Sequence, residues 1–284
     1  MALSRDDAYA ACLTALRETD FDRYLACLLV PEDRRGALAA LYAFSAELAR
    51  IRDLVREPLP GEVRLQYWRD LVEGQPHGDS DANPLAAGIL HAITEHRLPR
   101  AALAAMTEAR IFDLYDDPMP DRATFEGYAG ETASTLIQLG TLILDPDNAR
   151  NAAEAAGHAG IAQLVAGSLL LLPIHRRRHQ VYLPSDILAA VGLDAQGFLD
   201  GSDRDRIYAA VSAFAGYGRD HLKKARALAS SLTGTTRRAF LPVALAAPVL
   251  DRAERAGAGA LDRSLQPSQL SRQWRLWRAS RGMF

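Results

Sequence analysis

The chain has 284 residues, of which 49% are hydrophobic, 24% charged and 7% aromatic, so it carries ample apolar material for a core and is unlike a disordered chain. Its formal net charge of -2 excludes a general nucleic-acid binder, whose footprint is strongly basic. Only Cys12 and Cys27 are present, too few for a disulfide framework or a cysteine metal site, and a reducing interior is the simplest reading.

Met1 to Asp7 reaches acidic residues at once, so no signal segment is expected. The hydrophobic pattern then has helical spacing nearly throughout. Pro31, Glu32 and Asp33 open a helix, with proline in the first turn and carboxylates at the positive end of the helix dipole. Leu38, Leu41, Tyr42, Ser45 and Leu48 follow at spacings of three and four, and this helix is expected to run to about Val55, before Pro58. A second helix covers 62–72 and stops at Gly74, and the polar segment 74–84 reads as a loop. Helices are expected at 84–96, 100–114, 122–144 and 148–172. Pro173 is expected to end the last of these, leaving His175 to Gln180 as a basic loop before Val181-Tyr182-Leu183-Pro184. Further helices fit 185–191, 204–231, 235–256 and 266–280. No strand set, repeat or clear linker appears, so 1–284 is expected to be one all-α domain, a compact helical bundle. No stretch of about 18 apolar residues is free of charge or proline, which predicts no membrane span and a cytoplasmic location.

Two aspartates at i and i+4 on a helix face the same way, and two such pairs on facing helices can hold Mg²⁺ against a diphosphate. Asp113-Leu114-Tyr115-Asp116-Asp117 is one candidate run. Pro118 and Pro120 follow immediately, so these acids are expected to be solvated at a helix end.

Other stretches are more specific. Ala40-Leu41-Tyr42-Ala43-Phe44 followed by Glu47-Leu48-Ala49-Arg50-Ile51-Arg52-Asp53 resembles the first aspartate-rich helix of the squalene/phytoene synthase family. Val181-Tyr182-Leu183-Pro184 resembles the segment just after the family's second aspartate-rich helix. Leu29-Val30-Pro31 through Arg35, and Tyr128-Ala129-Gly130, sit in the order that family has. The resemblance runs from about residue 20 to 280. It implies an isoprenoid-synthase-type helical bundle around a central cavity, with Ala, Leu and Gly of 161–172 suited to line it.

The departures from that pattern bear on function. Where the family carries paired aspartates in the first helix, this chain reads Ala49-Arg50-Ile51-Arg52-Asp53, and only Asp53 remains. An arginine usual just before them is Ala46. Counting back from Tyr182, the positions expected to carry an asparagine and two aspartates are Gly167, Leu171 and His175. No aspartate lies between Asn151 and Tyr182. One carboxylate cannot hold an Mg²⁺ cluster, Leu171 offers no ligand, and Arg50 repels a cation.

Joint loss on two separated helices resembles the branch of the family that contains the mitochondrial respiratory complex I assembly factor and its bacterial relatives. Leu171-Leu172-Pro173-Ile174-His175 with Arg178, and Gln66-Tyr67-Trp68-Arg69-Asp70 after Val63-Arg64, resemble that branch as well. The resemblance implies a non-catalytic accessory that binds a lipid-like molecule or a protein partner of a respiratory complex, without cofactor and with peripheral contact at the inner membrane. The alternatives are a prenyltransferase with an atypical Mg²⁺ site and a metal-independent isoprenoid-phosphate carrier.

Candidate ligand-binding residues are Tyr42, Arg50, Asp53, His175, Arg178 and Tyr182, with no catalytic or metal-binding residue assigned. Asp53 is expected to pair with Arg50 or Arg56, each three residues away. Arg50 and Arg52 fit either a solvated face or a pair of phosphate-binding forks. His175 and His179 would share a helix face at i and i+4, but a loop there and the lack of a third ligand argue against zinc. In the C-terminal helix, Trp274, Trp277 and Arg278 can share one face. That face is expected to dock on the bundle, with an anionic membrane surface as the alternative.

Overall fold

The structure, a computed structural model, describes residues 3–75 and 82–282. Their regular structure is helical. Helix α1 (Arg5–Thr19) is capped by Ser4, whose hydroxyl accepts from the Asp7 amide, and α2 (Phe21–Leu28) by the Asp20 carboxylate. The long α3 (Glu32–Leu54) follows Pro31 with Glu32 and Asp33 in its first turn, as the sequence leads one to expect. Helix α4 (Pro58–Glu73) begins four residues earlier than the periodicity suggests, because Pro58 supplies the fixed φ of a first turn. Gly74, at φ 90°, ends it. The expected loop at 74–84 lies largely outside the described residues.

Asn83 caps α5 (Pro84–His96), and α6 (Arg100–Ala109) tightens into a 3₁₀ turn over Arg110–Leu114. The segment read as one helix at 122–144 is α7 (Arg122–Ala129), a π-turn over Gly130–Ser134, and α8 (Thr135–Leu144). Helix α9 (Ala153–Leu170) is followed directly by α10 (Leu172–Arg177). Pro173 therefore starts a helix as well as ending one, and His175 to Arg177 are helical rather than a loop. His179, at φ 57°, turns the chain out of it, so His175 and His179 do not share a helix face.

Short helices α11 (Ser185–Ala190) and α12 (Ala195–Asp200) lead to α13 (Arg204–Ala229), the longest in the chain. The segment 235–256 divides into α14 (Gly234–Arg237), a 3₁₀ stretch Arg238–Leu245 containing Pro242, and α15 (Ala246–Ala256). Helix α16 (Gln269–Ser280) is the last.

One continuous buried cluster extends from Cys12 to Leu265, with Tyr42, Phe44, Phe125, Phe214 and Phe240 among its largest fully buried side chains. Helices α9 and α13 pack closely because Gly218 faces Val165, where an added Cβ would lie 2.7 Å from the valine side chain. Gly160 lets α9 approach the π-turn, since a Cβ there would meet the Ser134 Cα at 2.6 Å. A smaller cluster seats α16, whose Leu276 and Ala279 are buried with Ala26, Leu241 and Ala244. The face turned inward is thus the leucine and alanine side. Trp274 and Trp277 are exposed, which corrects the expectation that they dock on the bundle. No described helix is long and apolar enough to cross a membrane.

Candidate functional site

The family's metal motifs fall at the C-terminal half of α3 and at the end of α9 running into α10. In this structure the two meet through charge. Arg178, just past α10, reaches Asp53 on α3 at 2.6 Å. The carboxylate left in the first motif is therefore paired across the site, and the expected partners Arg50 and Arg56 are not the ones it takes. Arg50 instead pairs with Glu47 at 3.4 Å, and Arg52 with Asp116 at 3.1 Å. A guanidinium attracts a carboxylate without needing a metal between them, and here Arg50, Arg52 and Arg178 each have an acid.

Behind this surface lies a buried polar centre. Asp113, read above as a solvated helix-end acid, is 7% exposed. The 3₁₀ turn after α6 swings it inward. Its carboxylate accepts from the Tyr128 hydroxyl at 2.7 Å, the Tyr182 hydroxyl at 2.8 Å and the Arg110 guanidinium at 3.0 Å, while its carbonyl accepts from Gln180 Nε2 at 3.1 Å. Tyr182 is held in place because the Met119 amide donates to the Val181 carbonyl and the Ser185 amide to the Met119 carbonyl. Burial raises the Tyr128 and Tyr182 pKa values, and the Asp113 charge adds to both, so each phenol stays a donor. Burial alone would lower the Arg110 pKa, but the Asp113 carboxylate to which it donates holds the guanidinium charged.

His175 lies with its ring 4.6 Å from that of Tyr182. Burial lowers its pKa to about 4, which leaves it neutral at pH 7, and its Nδ1 is buried with no hydrogen-bond partner. Tyr42 is fully inside the core, with the Arg23 guanidinium 5.7 Å from its ring centroid. Of the sequence-derived candidates, Asp53 and Arg178 come together, as do His175 and Tyr182. Arg50 turns to its own helix, and Tyr42 belongs to the core. Arg110 and Tyr128 are absent from those candidates, and Asp113 enters them only as part of a run expected to be solvated. Arg110 and Asp113 are spaced i, i+3, but nothing local signals that residues 15 and 69 positions further on would close around them.

A cavity of about 390 Å³ opens between α3, α9, α15 and the 3₁₀ stretch 238–245, within the roughly 300–1,000 Å³ common for small-molecule sites. Leu136, Leu164, Leu170, Pro242, Leu245 and Val249 form apolar wall. Asp20, Asp22, Arg23 and Arg110 form its polar end. Those charges are already matched, with Arg23 paired to Asp20 and Arg110 to Asp113. Leu171, at the position where an aspartate would face a metal, lines the cavity as hydrocarbon.

The residues present do not fit an Mg²⁺ cluster. Asp53 is engaged by Arg178, Leu171 and Gly167 supply no oxygen side chain, and among the described residues no three His, Cys, Asp or Glu side chains converge as metal ligands.

The family profile described as squalene/phytoene synthase matches residues 16–278. The chain is 31% identical over 260 residues to "NADH dehydrogenase (ubiquinone) complex I, assembly factor 6" of Rattus norvegicus, covering 92% of this chain and 78% of that protein. It is 23% identical over 239 residues to the 15-cis-phytoene synthase of Synechococcus elongatus, covering 78% and 75%. Among solved structures, a dehydrosqualene synthase in complex with ligand superposes with a TM-score of 0.81 over 98% of this chain and 97% of that one, at 15% identity. The central cavity, the order of its helices and these matches agree that the chain belongs to the squalene/phytoene synthase family.

Proposed function

We propose that this chain is a non-catalytic member of its family, an accessory in respiratory complex I assembly that holds a lipid-like molecule in its cavity and works peripherally at a membrane. The observation that carries the reading is the Asp53–Arg178 ion pair. It occupies the meeting place of the two metal motifs and leaves the apolar cavity behind it intact. Similarity to the rat assembly factor supports the process assigned. The charge pattern supports an uncharged or weakly polar ligand. A diphosphate brings two or more negative charges, and Arg23, Arg50, Arg52, Arg110 and Arg178 are each already matched by a carboxylate. The same matching weighs against an isoprenoid-phosphate carrier that would use these five arginines.

The test has two arms. Purified protein is incubated with farnesyl and geranylgeranyl diphosphate, Mg²⁺ or Mn²⁺, with and without NADPH. Diphosphate release at the level of a heat-killed control is expected, and robust metal-dependent release with a condensed hydrocarbon would overturn the reading in favour of a prenyltransferase. In the cell of origin, loss of the gene is expected to lower assembled complex I on native gels, with recovery on complementation. Unchanged complex I would remove the assembly assignment.

A further inference from the structure

Helix α16 is seated by Leu276 and Ala279. Its opposite face carries Leu270, Trp274 and Trp277, which are 78%, 51% and 45% exposed. The spacing i, i+4, i+7 aligns them in one stripe along the helix. Neither indole N–H has a hydrogen-bond acceptor among the described residues. The Arg278 guanidinium lies 4.6 Å from the Trp274 ring centroid and that of Arg281 lies 4.2 Å from the Trp277 ring centroid. Residues 269–282 contain four arginines and no acidic residue. Arg272 is committed to Asp22 at 2.6 Å, whereas Arg278 and Arg281 pair with no carboxylate among the described residues. Arg237 adds a further cation near the end of the helix, where a Cβ added at Gly282 would lie 3.8 Å from its guanidinium.

We infer that this stripe is a docking surface for an anionic phospholipid membrane. This deepens the peripheral-membrane part of the proposed function and rests on it. Two indoles with unpaired N–H groups suit the headgroup depth of a bilayer, where the rings enter hydrocarbon and the N–H meets phosphate or carbonyl oxygen. Guanidiniums stacked on those rings would lie at the depth of the lipid phosphates. A second copy of the chain fits poorly, since a two-fold contact on this stripe sets Arg278 and Arg281 against their own counterparts with no acid between them. Docking also places the cavity near the bilayer, because Asp22, which anchors Arg272, lines that cavity.

The experiment is co-sedimentation of the full chain with vesicles of phosphatidylcholine alone and of phosphatidylcholine with about one-third phosphatidylserine. Binding to the anionic vesicles only is expected, weakening in high salt and accompanied by a blue shift of tryptophan emission. The double variant Trp274→Ser, Trp277→Ser should lose binding more than tenfold and lose the shift. Arg278→Gln and Arg281→Gln should each weaken binding about fivefold. All four side chains are exposed, so an unchanged circular-dichroism melt verifies that the variants fold. Equal binding to neutral vesicles, no binding, or binding untouched by these variants would overturn the inference. So would concentration-dependent dimerisation, or capture by polyglutamate without vesicles, abolished by the same changes. None of these readings depends on complex I, so failure here is distinct from failure of the assembly assignment.

Discussion

Asp53 and Asp113 each face an arginine, and their surroundings differ in every other respect. The Asp53 and Arg178 side chains are 52% and 39% exposed, so water solvates both charges whether or not they touch. Asp113 is shut away, and water is replaced around its carboxylate by two phenols and a guanidinium. The first carboxylate stands where the family's chemistry is done. The second stands behind it and ties Tyr128, Tyr182 and the turn after α6 into one frame. In this chain the charge at the reaction site has become an exposed bridge, while the supporting charge keeps a full set of partners.

That contrast predicts unequal costs. Asp113→Ala leaves the Arg110 cation buried without its acid and two phenols without their acceptor. A loss of about 3–5 kcal/mol is expected, seen as a fall in Tm on the order of 10 °C in a thermal melt. A fall of less than about 2 °C would mean that the buried network adds little to the frame. Gly160→Ala should follow at about 1–3 kcal/mol in urea unfolding, because the new methyl meets the backbone of the π-turn rather than a movable side chain. Wild-type stability for this variant would show that α9 can slide away from the turn, and that the cavity wall is soft.

How much of this was legible follows from the reach of each signal. The long helices α3, α5 and α13 show in the sequence because a 3.6-residue period is local. The sequence pattern ends a helix at Pro173 where the structure starts one, because proline suits both positions and only packing decides which. The 3₁₀ stretch with Pro242 and the π-turn at 130–134 lie within patterns that keep the right apolar residues, so periodicity alone merges them with their neighbours. The lack of aspartate between Asn151 and Tyr182 is legible, since it is a property of composition along a segment. The buried role of Asp113 is not, because its partners lie far along the chain and their approach is set by tertiary contacts. For α16, amphipathicity pointed to two faces, and either the tryptophans or Leu276 and Ala279 could have been the inner one.

His175 sits between the two regions and reports on both through pH. Burial lowers its pKa to about 4 from an ordinary 6.5. In the unfolded chain the ring gains its proton near pH 6.5, and in the folded chain only near 4. Between those values the unfolded state holds more protons, so this group's contribution is full above about 6.5 and is lost as the pH falls toward 4. The slope it adds is at most about 1.4 kcal/mol per pH unit. Denaturant melts across pH 4 to 7 should therefore be flatter for His175→Phe, which keeps a ring against Tyr182 and cannot take the proton. Identical slopes in variant and wild type would mean that water reaches the ring in the native state.

The smallest effect is expected where the family places its chemistry. In a double-mutant cycle with Asp53→Ala and Arg178→Ala, the coupling should be about 0–1 kcal/mol and should shrink as salt is added. The reason is the exposure of both partners: Coulomb attraction in water is weak, and ordering two side chains costs entropy. A coupling above about 2 kcal/mol, insensitive to salt, would place this pair in a low-dielectric setting like that of Asp113. The exposed bridge would then be a built part of the frame that joins α3 to α10, and the distinction between the two carboxylates would fail.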